Sequence, residues 1–273
     1  MRLWHLASLD APTVAVVWAL AFAWAADVRL PAWVPVLLAL GTWTVYVGDR
    51  LLDARSGLRS GALHWLRERH FFHWRHRRIL IPLSAATGAG AAAIIFVLMP
   101  AGIRERNSLL GVAALAYFSG VHSRRRAPVW LAPLLSKEFL VGVLFTAGCA
   151  LPTFTRMRLA APGAARWIML APVAFFAALA WLNCHAIERW ESARDPLRAA
   201  RIFTISVLLG FIGLLLAFAF APMQPRAAAL IAAGAASALL LAMLDRARLR
   251  LTPLALRAAA DLVLLTPLLL VLR

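Results

Sequence analysis

Acidic residues are scarce in this chain, twelve Asp and Glu among 273 residues, so each one invites an explanation. Asp49 and Asp53, in TWTVYVGDRLLDARSG, are four residues apart and fall on one face of a helix, with Arg50 and Arg55 beside them. Two carboxylates at that spacing suit a divalent cation, and Mg²⁺ in particular is held by one or two carboxylates together with substrate phosphates. A solvated helix end whose acids pair with Arg50 and Arg55 fits the same residues. A second polar cluster, WLNCHAIERWESARD, supplies Asn183, His185, Glu188, Glu191 and Asp195. Between the two lies HSRRR, whose Arg124, Arg125 and Arg126 carry planar forks suited to phosphate oxygens or, equally, serve as topology determinants. Lys137, the one lysine of the chain, interrupts an apolar run with Glu138. Ionisable residues at membrane depth are costly and face a polar cavity or a partner, whereas a span beginning at Phe139 leaves this pair interfacial.

The elements that must position these groups follow from composition. With 63% hydrophobic and 15% charged residues, a mean hydropathy of +0.78 and a net charge of +17, the chain lies far from a soluble domain. The expected class is all-α, a polytopic membrane bundle of about nine transmembrane helices forming a single domain over 1–273. Apolar runs bounded by arginines, acids or turn residues cover 11–26, 31–52, 79–103, 107–123, 129–154, 167–187, 202–221, 227–244 and 251–272. The first and fourth are short and the last holds Asp261, which leaves eight spans as the alternative. With nine, 21 of the 29 basic residues fall on the side of the N-terminus, so that side is expected to face the cytoplasm of a bacterial inner membrane. Both acidic clusters then lie at that face. The arginines sit in short links rather than along one stripe, which argues against nucleic acid as a partner. The link 54–78 mixes Trp, Phe and Leu with Arg and His and suits a basic helix in the membrane interface. Cys149 and Cys184 are too few for a disulfide framework, and the N-terminus carries no pattern of a cleavable leader.

Taken together, these stretches resemble the UbiA superfamily of intramembrane prenyltransferases. VYVGDRLLD matches the acids of that family's first motif at Asp49 and Asp53, with Arg50 after the first, and has Val45 where the family has Asn. The second motif matches less well: counted from Asn183, its acid positions are Ile187, beside Glu188, and Glu191. AYFSGVHSRRR offers Tyr117 and Arg124 to Arg126 in the family's order of a tyrosine followed by basic residues. The resemblance implies a helical bundle around a central cavity and Mg²⁺ held by Asp49 and Asp53 with Glu188 and Glu191. It further implies a prenyl diphosphate contacted by Arg50, Tyr117, Arg124, Arg125 and Lys137, and a lipophilic, commonly aromatic, acceptor of the isoprenoid chain. Asp49 and Asp53 are the expected catalytic residues.

Other readings compete. His70, His73 and His76 follow i, i+3, i+6 spacing and faintly resemble one histidine box of a membrane di-iron enzyme, a class that needs several. The headgroup transferases that use Asp-Gly-x-x-Ala-Arg are disfavoured, because Asp49 is followed by Arg50. A lipid or small-molecule carrier would place its charges near the bilayer midplane, where this chain places few. A UbiA-like protein that binds lipid without turnover is the closest alternative.

Overall fold

A computed structural model describes residues 2–61, 66–105, 107–108, 111–112, 137–160, 164–192 and 196–272. The described residues are helical, without a strand. In chain order the helices are α1 (Arg2–Leu6), α2 (Asp10–Ala25), α3 (Trp33–Ser60), α4 (Glu68–Arg75), α5 (Arg77–Val97), α6 (Lys137–Ala160), α7 (Ala164–Ser192), α8 (Pro196–Phe220), α9 (Pro225–Ala247), α10 (Pro253–Leu262) and α11 (Leu268–Val271). Six stretches are long and apolar enough to cross a membrane: Arg77–Val97, Glu138–Met157, Trp167–Glu191, Arg201–Phe220, Pro225–Arg250 and Pro253–Val271. The chain is an integral membrane protein.

Six of the nine apolar runs thus become spans. The run 11–26 becomes α2, a shorter apolar helix of 16 residues. The run 31–52 lies in α3, whose 28 residues continue through Asp49, Arg50, Asp53, Arg55 and Arg59 to Gly61. Charge in its second half keeps it out of the spans, yet Leu51, Leu52 and Ala54 sustain the helix. It ends where Gly61 takes φ +67°, a left-handed cap open to glycine without steric cost. Most of the run 107–123 lies outside the described residues.

The chain divides into two compact units, Met1–Val16 with Pro31–Met99, and Val17–Leu30 with Pro100–Arg273. In the first, α3 and α5 cross where Gly88 meets the Thr44 methyl, and the Thr44 and Thr87 hydroxyls bond at 2.9 Å. Trp43 donates its indole N–H to the Ala7 carbonyl at 2.8 Å, tying α3 to the α1–α2 turn. In that turn Ser8 adopts φ +56°, an uncommon conformation for a residue with a side chain.

In the second unit, Trp18 stacks on Phe176 of α7 with ring centroids 3.8 Å apart, and Phe22 meets the same ring edge-on at 5.8 Å. Phe175 fills a notch left by Gly213 of α8 and Gly234 of α9. The last span is interrupted: α10 passes into a 3₁₀ turn at Val263–Leu265, and α11 resumes after Pro267. Neighbouring side chains satisfy the freed backbone there. Trp18 donates to the Leu264 carbonyl at 2.8 Å, and the Ser237 hydroxyl to that of Val263 at 2.6 Å. Thr266 donates to the Ala233 carbonyl at 2.7 Å.

The closest helix approach involves Gly142 of α6, where a Cβ would lie 2.9 Å from the Trp181 backbone nitrogen of α7. Rigid backbone cannot yield as a flexible side chain would. Gly142→Ala is expected to destabilise the protein by about 1–3 kcal/mol through overpacking. Gly148→Ala on the same helix meets nothing within 4 Å and is expected to be neutral or slightly stabilising. Thermal unfolding of both variants in detergent checks the contrast.

Candidate functional site

In the first unit the candidate residues sit on the second half of α3. Asp49 and Asp53 are half-buried on one face, one turn apart. The Arg50 guanidinium is buried, 3.4 Å from Asp49 Oδ2, and lies 5.9 Å from the centroid of the Tyr46 ring. Val45, where the resembling family has Asn, is exposed at 44%. An oxygen-donor pair of this kind fits Mg²⁺, whose remaining positions are ordinarily taken by water and phosphate oxygens.

Helix α4 brings histidines to this face of α3. One turn beyond Asp53, Gly57 leaves room for Leu66, whose Cδ2 would stand 2.7 Å from a Cβ there. The chain folds back at that point, and α4 begins two residues later. His70 Nδ1 accepts the Arg67 backbone N–H at 2.9 Å, and His70 Nε2 lies 3.9 Å from Asp53 Oδ2. His73 is fully buried. Its Nδ1–H donates to the Arg69 carbonyl at 2.7 Å, so Nε2 is left to accept from the Ser8 hydroxyl at 3.3 Å. His76 Nδ1–H donates to the Phe72 carbonyl at 2.8 Å. All three rings engage backbone atoms through Nδ1, an arrangement that does not favour a shared di-iron site. On the outer side of the 54–78 segment, Phe71 and Arg75 are exposed, and Arg77 packs over the Trp74 ring at 4.7 Å.

The second unit holds the other motif at the end of α7. Asn183 is buried and donates from Nδ2 to Asp261 Oδ1 of α10 at 3.2 Å. Glu191 accepts from Arg257 Nη1 at 3.0 Å, with both side chains largely enclosed. Glu188 is exposed. Ile187, the position where the family motif carries an acid, is buried in an apolar cluster with Leu182, Ala186, Ile202, Leu241 and Ala260. Close by, buried Asp245 accepts from Trp190 Nε1 at 2.7 Å and from Arg248 Nη1 at 2.9 Å. Lys137 opens α6. Tyr117, Arg124, Arg125 and Arg126 lie outside the described residues, as do His64, Trp130 and Asp195.

Comparison with known proteins finds no matching family model, no matching curated protein and no matching solved structure. Function must therefore be argued from the residues themselves. Four that the motif reasoning passed over are His70, beside Asp53, and Arg257, Asp245 and Asp261, which partner the second motif. Asp261 was conspicuous as a lone acid in the last apolar run. The others are far in sequence from the groups they meet, and local spacing carries no sign of them.

Burial holds the His73 imidazole below its ordinary pKa; the nearby Arg50 charge acts in the same direction, against the hydrogen bond to Arg69. An imidazole in the unfolded chain takes its proton near pH 6.5. Below that pH the unfolded chain holds a proton that the folded one refuses, so the stability contributed by neutral His73 is present above about pH 6.5 and lost as pH falls through the window beneath it. Thermal unfolding in detergent from pH 7.5 to 5 is expected to show a falling midpoint in the wild type. In His73→Gln, which is less stable at neutral pH, the fall is expected to be shallower.

Proposed function

We propose that the chain is an intramembrane prenyltransferase of the UbiA type, transferring an isoprenoid chain from a prenyl diphosphate to an aromatic or other lipophilic acceptor. The observation that carries this reading is the pair of half-buried carboxylates, Asp49 and Asp53, on one face of α3 beside the buried Arg50 guanidinium. Together they offer oxygen ligands for Mg²⁺ and a fixed positive charge for a diphosphate, two requirements of ionising an allylic ester. The reading also takes nine spans around a central cavity, with the N-terminus and site on the cytoplasmic side of a bacterial inner membrane, as the basic-residue count supports.

In this mechanism Asp49 and Asp53 hold Mg²⁺, with Glu188 and Glu191 as candidate partners. When bound, Mg²⁺ neutralises charge on the diphosphate oxygens. Arg50, Tyr117, Arg124, Arg125 and Lys137 bind and orient the same group. The carbon–oxygen bond breaks with both electrons leaving on diphosphate. The resulting allylic cation, shielded from water by apolar helix faces, bonds to a nucleophilic carbon of the acceptor, which then loses a proton.

One observation favours a second reading, a UbiA-like protein that binds lipid without turnover or serves as a carrier. Glu191 is already paired with Arg257, and Ile187 sits in the apolar core where a further acid would be expected. The experiment that separates the two is Mg²⁺-dependent binding and consumption of radiolabelled prenyl diphosphates by purified protein in detergent. The expected outcome is metal-dependent binding with diphosphate release, both reduced at least tenfold, a loss of about 1.4 kcal/mol, in Asp49→Ala/Asp53→Ala. Binding without release, unaltered by added aromatic acceptors, supports the non-catalytic reading. Binding indifferent to both substitutions overturns the site.

A further inference from the structure

We infer that His70 of α4 is the positioning residue for Asp53, donating from Nε2–H to Oδ2 so that the remaining carboxylate oxygen is presented to a divalent cation. This inference rests on the proposal that Asp53 is a metal ligand, and adds to it a residue from a different helix. Three observations carry it.

The first is the tautomer. Because Nδ1 accepts the Arg67 backbone N–H at 2.9 Å, a neutral His70 carries its proton on Nε2. That nitrogen faces Asp53 Oδ2 at 3.9 Å, inside ion-pair range and just beyond a direct hydrogen bond. A neutral imidazole in this tautomer turns a donor toward Asp53 rather than a lone pair. His70 is therefore an orienting group for the carboxylate and not itself a metal ligand.

The second is that the ring is held. Its side chain is 6% exposed, and its bond to Arg67 closes the first turn of α4 by the reciprocal logic of a helix-capping side chain. A donor locked in this way loses little conformational freedom when Asp53 takes a ligand.

The third is that the approach is built rather than incidental. Gly57 lies one turn beyond Asp53 on α3, and the space above it is filled by Leu66 immediately before α4. His73, one turn after His70, anchors the helix by its bonds to Arg69 and Ser8. Arg2 pairs with Glu68 at its start. These contacts hold α4 in place with His70 against Asp53. Carboxylate ligands are commonly oriented by such hydrogen-bonding neighbours, whose removal typically costs 10- to 100-fold in metal affinity.

The test uses the full-length protein in detergent with Mn²⁺ as a spectroscopic substitute for Mg²⁺. Free Mn²⁺ is followed by electron paramagnetic resonance, with and without a slowly reacting prenyl thiodiphosphate. Wild type is expected to bind Mn²⁺, and Asp53→Ala to lose binding. His70→Ala is expected to weaken affinity about 10- to 100-fold. His70→Gln, whose amide retains a donor at similar reach, is expected to remain within about threefold of wild type, a rescue that a purely packing role would not give. If Asp53→Ala loses binding while His70→Ala retains wild-type affinity, His70 does not position the carboxylate and the inference is overturned with the metal site intact. Equal weakening in His70→Ala and His70→Gln likewise overturns it. If wild type binds no Mn²⁺ under either condition, or Asp53→Ala binds as wild type does, the metal assignment itself fails and the inference falls with it.

Discussion

A chain that crosses hydrocarbon must satisfy its backbone hydrogen bonds internally, because no water is at hand to do so. That constraint explains why the described residues are helical, and also how the exception is tolerated. Where the last span breaks between α10 and α11, the carbonyls of Val263 and Leu264 accept from Ser237 and Trp18, and Thr266 donates to Ala233 on the neighbouring helix. Polar side chains in the apolar bundle thus complete hydrogen bonds that the backbone cannot make for itself.

The same constraint governs the charges. An enclosed carboxylate is tolerable when paired or hydrogen-bonded, and removal of its partner leaves a costly unpaired charge. Asp245 has Trp190 and Arg248, Glu191 has Arg257, and Asp49 has Arg50. Asp53 differs in kind. Its printed neighbour is an imidazole, a group able to exist without charge, at a distance that leaves the carboxylate less committed than Glu191 is to its guanidinium. On chemical grounds Asp53 is the acid of the four best able to take a cation.

Much of the fold was legible because long apolar runs admit few alternatives in a bilayer. The runs at 79–103, 167–187, 202–221 and 227–244 overlap spans closely, for their ends are set by arginines, prolines and polar turns. The run at 31–52 misled, since α3 carries on through eight further residues whose charges break the apolar pattern but not the helix. The break in the run 251–272 was hidden too. Its side chains are nearly all apolar, so no periodicity marks the interruption, and the groups that support it come from Trp18 and Ser237. For the site, Asp49 and Asp53 could be read from local spacing because helical geometry alone puts them on one face. The meeting of His70 with Asp53 depends on the return of the chain over Gly57, and the pairing of Glu191 with Arg257 on the packing of two spans. Neither follows from spacing along the sequence.

The bond from Trp18 to the Leu264 carbonyl joins residues 246 positions apart. On the ribosome, at roughly 5–20 residues per second, the indole is made about 12–50 seconds before its acceptor exists. Throughout that interval the N–H has to find a temporary partner, among lipid headgroups, within the insertion machinery or on an earlier helix. Assembly of this unit accordingly has an order in time as well as in space. Its first aromatic anchor enters early and is locked only when nearly the whole chain has followed it, which makes the late-arriving segment a latch on a bundle already in place.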